Sequence, residues 1–272
     1  MRNIDKLSWT VAVVSVALSW QIMAASTGEV EGRSTDQDTM SSAVGEEDTV
    51  LQGLVGHWPF DEKKGCLARD HVGPDHGILG PSCPASGLRW AEGRNANALA
   101  FDGRSGHVFV PAARNLDTLS ALTISAWIRH PPTTKFYAIV DKRDDGTDGF
   151  DLYLGPSSRL FMRADSVTLT SKRPVADGTW HHVVGVYDGS EMALYVDGSL
   201  DHRAPAGVGD IETTSTLFIG RHFSELDFAY GGSMDEVRIY DRALSGWEIQ
   251  DLYHQLEGEN SRLTEVGSAW QR

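Results

Sequence analysis

Basic residues and cysteines are both scarce in this chain. Its 272 residues include 24 Lys and Arg against 38 Asp and Glu, and the formal net charge is −14 at pH 7. Nucleic acids and anionic membrane faces attract basic proteins, so this balance argues against either as a partner. The two cysteines form neither a CxxC motif nor a Cys/His zinc spacing. We therefore expect no structural zinc site of those types.

Long hydrophobic runs are also missing, and the one apolar run near the N-terminus is short. It extends from Trp9 to Trp20, follows Arg2 and Lys6, and precedes small residues at 24–26. This order predicts a signal peptide over residues 1–25, too short to span a bilayer comfortably. An uncleaved N-terminal anchor is the alternative. Either way we expect a secreted or extracellular/periplasmic domain that does not itself insert into the membrane.

Three further segments follow the predicted signal peptide. Residues 26–52 are acidic and lack hydrophobic periodicity, which predicts a disordered linker. Residues 53–257 contain short alternating runs throughout and are expected to form one domain. Residues 258–272 lose this pattern and are expected to form a flexible tail.

The domain is expected to be all-β. In Leu122–Arg129 and in Phe150–Leu154, apolar residues alternate with other side chains, which is typical of strands with two different faces. Trp180–Tyr187 and Met192–Val196 flank an Asp-Gly turn, which indicates a hairpin. About a dozen such strands without long helices predict two packed antiparallel sheets, a β-sandwich. A short C-terminal helix should start at the capping box of Ser245 and Glu248.

Cys66 and Cys83 are the only cysteines. An even pair in an exported protein predicts a disulfide, and the chain-entropy model gives such a loop a stabilisation of roughly 3 kcal/mol. Two unpaired thiols are the alternative.

Six segments, in order, resemble successive strands of the laminin-G-like jelly roll of the concanavalin A-like lectin/glucanase superfamily. They are GHWPFDE at 56–62, ALAFDG at 98–103, LTISAWI at 122–128, DGTWHHVV at 177–184, LYVDG at 194–198 and GSMDEVRIYDRAL at 232–244. The resemblance implies two antiparallel sheets curved over one another, often with a structural calcium ion. It also implies an extracellular protein that binds glycans or other proteins.

The resemblance further implies a calcium ligand at Asp235. This residue shares strand parity with Val237 and Ile239, so we expect its carboxylate to face the packed side of the sheet and to need a partner. Oxygens from the first strand and the Phe-Asp-Gly turn would complete the site, which suits the hard oxygen ligands of calcium. The corresponding residues are Asp61, Glu62, Asp102 and Gly103. The alternative is an ion pair with Arg238 or Arg242.

Two weaker candidates concern ligand binding. Asp144, Asp145 and Asp148 lie in an acidic loop that could hold a second calcium or a sugar hydroxyl, although a solvated turn is the alternative. It is not an EF-hand loop, because its twelfth position is Leu152. Trp90 is expected to lie in a Gly-rich loop, where it could stack on a sugar or else cover the core.

Catalytic motifs are missing. The resembling β-glucanases carry a Glu-x-Asp-x-(x)-Glu strand, and neither this pattern nor Gly-x-Ser-x-Gly occurs here. His181 and His182 point to opposite faces of a strand, so they cannot both bind one ion.

We therefore expect a non-catalytic binding module that binds carbohydrate and contains structural calcium. An extracellular protein-interaction or adhesion module is the alternative, and a glycoside hydrolase-like enzyme is a second alternative. A concave row of exposed aromatic residues would favour glycans, whereas a flat apolar patch would favour protein.

Overall fold

Two antiparallel sheets dominate the computed structural model, which describes residues 50–82, 87–111, 113–144, 148–222 and 228–255. The predicted signal peptide, residues 26–49 of the linker, the tail, Cys83 and Asp145 lie outside the described residues. The predictions about them, including the disulfide, stay predictions.

The first sheet has strand order β15-β14-β13-β8-β18-β5-β4, and β1 also pairs with β18. Strands are numbered along the chain. Those of this sheet are β1 (Leu54–Trp58), β4 (Leu88–Glu92), β5 (Asn97–Phe101), β8 (Leu122–Arg129), β13 (Trp180–Tyr187), β14 (Glu191–Val196), β15 (Ser199–Pro205) and β18 (Ser233–Tyr240).

The second sheet has strand order β12-β11-β10-β9-β17-β6-β3-β2. Its strands are β2 (Leu67–Ala68), β3 (Gly77–Gly80), β6 (His107–Val110), β9 (Tyr137–Arg143), β10 (Gly149–Gly155), β11 (Arg159–Ala164), β12 (Val167–Pro174) and β17 (Leu217–Ile219). A short pair of strands, β7 (Thr118–Leu119) and β16 (Ile211–Glu212), is separate from both sheets. The predicted all-β sandwich is confirmed.

The core lies between the two sheets, and the period-two patterns determine which residues enter it. In β8, Leu122, Ile124, Ala126 and Ile128 are buried in the core cluster. Trp127 between them projects from the other side of the sheet. In β10, Phe150, Leu152 and Leu154 enter the core from the second sheet. Each sheet therefore also has an outer face, formed by the residues of opposite parity.

The C-terminal helix covers part of the outer face of the first sheet. It includes residues 246–255, and Ile249 and Leu252 pack there in a second hydrophobic cluster with Val184 and Tyr240. The predicted capping box is present, because the Ser245 backbone N–H donates to Glu248 Oε2 at 2.8 Å. No helix in the described ranges is long and apolar enough to cross a membrane.

Candidate functional site

A straight row of side chains crosses the outer face of the second sheet. Its members are register partners on adjacent strands, and paired residues project from the same face of a sheet. We call it the outer row: Ile78 on β3, Phe109 on β6, Phe218 on β17, Asp141 on β9, Asp151 on β10 and Arg163 on β11. The neighbours Val140, Leu152 and Ile219 lie in the core. The outer row therefore lies on the face away from the core.

A pocket of about 230 Å³ opens at the polar part of the outer row. Its walls are aromatic, and Asp151, Arg163 and His222 supply its polar side chains. The aromatic lining residues are Phe136, Tyr137, Tyr153 and Phe228. Tyr153 also stacks on Phe161 with ring centroids 5.0 Å apart. Phe136 is 38% exposed, so the aromatic rim is accessible from solvent. Apolar walls around a few convergent polar groups are typical of ligand sites.

Asp151 is a buried carboxylate that two arginines neutralise. It is 2% exposed, and Arg163 Nε donates to its two oxygens at 3.3 and 3.2 Å while the Arg163 Nη2 also donates to Oδ2. Arg143 Nε lies 3.8 Å from Asp151 Oδ2. Burial raises the pKa of the Asp151 carboxyl, and the hydrogen bond and charge of Arg163 oppose that rise. A planar guanidinium holds both carboxylate oxygens, so the orientation of Asp151 in the pocket wall is fixed.

Asp141, Asp151 and His222 converge at the pocket. One ligand atom of each lies within 4.8 Å of the others, and Asp141 is fully buried. The set could hold a metal ion by residue type. However, Arg143 and Arg163 already balance the two carboxylates, and a divalent cation would leave the group with an excess positive charge. The arrangement is better matched to the hydroxyl groups of an uncharged ligand, which can both donate to carboxylates and accept from guanidinium groups.

The acidic loop beside this site was predicted from the sequence as a candidate for ligand binding, but the residues that form the site were not. In that loop the Asp144 N–H donates to the Asp148 carbonyl at 3.4 Å, consistent with a turn. Asp141 starts the same loop, and Asp151 follows it, on facing positions of β9 and β10. The sequence contained a signal for these residues, because Asp151 and Tyr153 alternate with the apolar residues of β10 and therefore project from its outer face. His222 carried no comparable signal.

Trp90 does not lie in a loop, which corrects its interpretation as a free stacking residue. It belongs to β4, opposite Leu99 of β5, and packs against the core. The alternative role of covering the core therefore describes it.

The parity argument for Asp235 is wrong because β18 contains a bulge. Glu236 has a positive φ of 54°, and the register shifts between Asp235 and Arg238. Asp235 lies opposite Trp127 and so belongs to the outer side of the first sheet. Val237 keeps its place in the core. Asp235 is nevertheless fully buried.

The surroundings of Asp235 stabilise its charged form poorly. Its Oδ2 accepts hydrogen bonds from the backbone N–H groups of Arg94 and Asn95 at 2.8 and 2.9 Å, while its buried Oδ1 has no donor among the described residues. Burial, together with the nearby Glu236 and Asp61 charges, raises its pKa to about 8 although the two backbone hydrogen bonds lower it. The alternative arginine partners are engaged elsewhere, Arg238 with Glu236 and Arg242 with Glu248.

The predicted calcium ligands do not all converge. Asp61 lies near Asp235, and its Oδ1 accepts from the Asn97 N–H at 3.0 Å. Glu62 Oε1 accepts from the Arg69 N–H, and its buried Oε2 has no donor in the described part of the chain.

Asp102 and Gly103 lie at the other end of β5, so including them in the same cluster as Asp235 is wrong. Asp102 lies beside Gly87, whereas Asp235 lies beside Gly93, and β4 separates these two glycines by about 20 Å. Asp102 Oδ1 instead accepts the N–H groups of residues 104–106, with the longest at 3.1 Å.

Comparison with known proteins agrees with the fold. The sequence profile of the concanavalin A-like lectin/glucanases superfamily, laminin G type, matches residues 102–250. The chain belongs to this superfamily.

One curated relative of this superfamily member is an alpha-L-arabinofuranosidase of Bifidobacterium longum subsp. longum. It is 21% identical, and the alignment covers 88% of this chain but 24% of that enzyme. The chain thus spans about a quarter of the length of this relative.

Two solved structures share the fold of this superfamily member. Domain 4 of AbnA, a GH43 extracellular arabinanase from Geobacillus stearothermophilus in complex with arabinotriose, has a TM-score of 0.58 and 20% identity, covering 74% of this chain and 98% of that domain. The binding domain of Paraclostridial Mosquitocidal Protein 1 has a TM-score of 0.62 and 17% identity, covering 75% of this chain and 52% of that one. At these identities the likeness shows the fold alone.

Proposed function

We propose that the chain is an exported carbohydrate-binding domain whose ligand enters the pocket on the outer face of the second sheet. The observation that supports this most strongly is the union, in one accessible pocket, of aromatic walls with Asp151, Arg163 and His222. Aromatic rings can cover the C–H faces of a sugar, while carboxylates and a guanidinium group bind its hydroxyls. The predicted signal peptide supports export.

An uncharged sugar suits the pocket best. Arg143 and Arg163 both form ion pairs with Asp151 and both interact electrostatically with Asp141, so a charged ligand would disturb this balanced set of charges. The named relatives suggest the first ligand to test, because one acts on arabinofuranosides by its name and the other was solved with arabinotriose. We propose an oligosaccharide that contains arabinose.

Isothermal titration calorimetry with arabinotriose tests this function. Asp151→Asn preserves the size of a side chain that lines the pocket but removes its charge, and the affinity should fall roughly tenfold to a hundredfold. Asp210→Asn, at an exposed turn, is the matched control and should bind as the unaltered protein does. Thermal melts verify that each variant is folded. Binding that survives Asp151→Asn unchanged would refute the pocket as the site, and no binding by the unaltered protein would refute the ligand class.

Structural calcium is part of the proposal. Asp235 and Asp61 would hold the ion, with Glu62 as a further oxygen ligand, because a buried carboxylate oxygen without a donor fits a hard cation. The ion would relieve the repulsion between neighbouring carboxylates. A hundredfold excess of calcium over its dissociation constant should stabilise the native protein by about 2.7 kcal/mol. Melting temperatures with calcium, magnesium or chelator test this, and Asp235→Ala should abolish the calcium shift. Equal melting temperatures under all three conditions would contradict it.

Hydrolysis is the second candidate function. An oxygen of Asp141 and one of Asp151 lie within 4.8 Å, whereas retaining glycosidases place their two carboxyl groups about 5–5.5 Å apart. Against catalysis, Arg163 binds both oxygens of Asp151, so this carboxylate is poorly placed to act as an acid or nucleophile. Release of reducing sugar from arabinan would be measured. Activity that disappears in Asp151→Asn would replace binding by catalysis as the function.

A further inference from the structure

The outer row continues beyond the pocket over an apolar segment. Phe218, Phe109 and Ile78 lie directly side by side on β17, β6 and β3, in register with Asp141. The Phe109 and Phe218 rings are 5.7 Å apart, and Ile78 is 46% exposed. Neighbouring strands are about 4.8 Å apart, so this segment extends roughly 14 Å from Asp141.

The two directions out of the pocket differ in chemistry. On the other side Arg163 is followed by Thr168 on β12, the edge strand of this sheet. In the row itself, the residues on that side are polar, and the sheet ends at β12. The side of Phe218 is aromatic and crosses three strands. Arg221 adds donors there, with its guanidinium 5.8 Å from the centre of the Phe218 ring and its buried Nε without an acceptor among the described residues.

We propose that the site binds a linear oligosaccharide with its terminal unit in the pocket and its next units over Phe218 and Phe109, toward Ile78. This rests on the proposed function, because it extends the same site. A single sugar ring fills a pocket of about 230 Å³, and the units that follow must leave it across the sheet. Rings and an arginine along one exit can contact both the C–H faces and the hydroxyls of those units. Beyond Arg163, the described part of the row continues to Thr168 at the sheet edge.

Affinity for arabinose and for arabinotriose, measured by calorimetry, separates the pocket from the extension. The unaltered protein should bind arabinotriose about tenfold more tightly than arabinose, since stacking contacts of this kind contribute several-fold each. Phe109→Ala should reduce this ratio towards one and leave the affinity for arabinose unchanged. Ile78→Ala, at an exposed position, is a second and milder variant of the same extension. Thr168→Ala tests the other exit. Because the Thr168 side chain hydrogen-bonds Tyr153 in the pocket wall, this substitution should affect both sugars alike and leave the ratio unchanged.

The outcomes distinguish this inference from the proposed function. If arabinose and arabinotriose bind the unaltered protein equally well, the pocket stands and the extension is wrong. If Thr168→Ala lowers the ratio and Phe109→Ala does not, the ligand leaves by the other exit and the inference is also wrong. If Phe109→Ala weakens both sugars alike, Phe109 belongs to the pocket and the extension is again refuted. If neither sugar binds the unaltered protein, the proposed function fails and this inference fails with it.

Discussion

The outer faces of the two sheets contain the same kinds of residue but differ in what covers them. On the first sheet, Trp127 and His182 lie side by side, and Tyr253 of the C-terminal helix stacks on Trp127 with ring centroids 5.5 Å apart. Both Trp127 and His182 are almost completely buried. On the second sheet, Phe136 and the pocket beside it stay accessible. The chain covers one face with its own helix and leaves the pocket on the other face open to solvent.

The buried polar groups on the two faces also differ. Burial lowers the pKa of His182 to about 3, so the imidazole is neutral at physiological pH, with Nε2 2.8 Å from Ser125 Oγ. On the open face, the Asp151 carboxyl group lies beside the guanidinium groups of Arg163 and Arg143. A covered face tolerates neutral polar groups, whereas a binding face can retain fixed charges that a ligand uses.

The largest expected effect concerns the covered face. Trp127→Ala removes the ring between His182, Tyr253 and the Arg94 guanidinium, and should lower the free energy of unfolding by about 3–5 kcal/mol. Urea denaturation measures it. Trp247→Ala is the control, since Trp247 is 53% exposed on the same helix, and it should change stability by no more than about 0.5 kcal/mol. Equal effects of the two substitutions would show that the helix does not seal this face.

The predicted disulfide would strengthen the edge of the open sheet. The Cys66 carbonyl accepts from the Leu79 N–H at 2.9 Å, next to Ile78 of the outer row. Reduction, or substitution of both cysteines by serine, should cost roughly 3 kcal/mol. Non-reducing mass spectrometry checks the pairing, and two free thiols in exported protein would contradict it.

The contributions of His181 and His182 to stability should depend on pH in opposite directions. This difference tests the contrast between a fully covered histidine and a partly exposed one. The low pKa of His182 means that its contribution to stability is present above pH 6.5 and is lost as the pH falls, by up to about 1.4 kcal/mol per pH unit. The hydrogen bond that His181 donates to the Asp197 carboxylate raises the pKa of His181 despite its partial burial. Its contribution is therefore present below pH 6.5 and is lost as the pH rises through its raised pKa.

Imidazole NMR titration of the unaltered protein tests this pair directly. His182 should remain neutral at pH 5, while His181 should titrate above its ordinary pKa. Two similar titration curves would contradict the account. Denaturation at several pH values then checks the variants: His182→Gln should flatten the loss of stability in acid, and His181→Gln should lower stability in acid only.

The smallest expected effect on stability lies at the pocket. Tyr153→Ala removes the stack on Phe161 and should cost about 0.5–1.5 kcal/mol beyond the loss of its partly exposed surface. Affinity for arabinotriose should fall several-fold, because Tyr153 lines the pocket. A large loss of stability with unchanged affinity would make Tyr153 a packing residue only.

Much of the fold could be predicted from local patterns, because period-two alternation and Asp-Gly turns are local properties of the sequence. Leu122–Arg129 and the capping box of Ser245 and Glu248 were predicted in this way and are present. The site was harder to predict, since it depends on register between strands distant in sequence. Asp141 and Arg163 both flank Asp151 only because β9 and β11 pair with β10.

The bulge in β18 shows the limit of parity arguments most clearly. One extra residue at Glu236 moves Asp235 from the predicted core side to the outer side. Likewise, residue type does not distinguish Trp127 from a tryptophan that binds a ligand. Trp127 has a structural role because Tyr253 of the C-terminal helix stacks on it. The type of a residue does not reveal whether a distant segment of the chain packs over it.

Backbone amide NMR of the protein titrated with arabinotriose tests the central claim most directly. The account predicts chemical-shift changes that cluster at Asp141, Asp151, Tyr153 and Phe228 on the open face and extend to Phe109. Residues beneath the helix, Trp127 and His182, should not shift. Changes centred on the covered face, or spread evenly over both, would contradict the assignment of the open face as the binding surface.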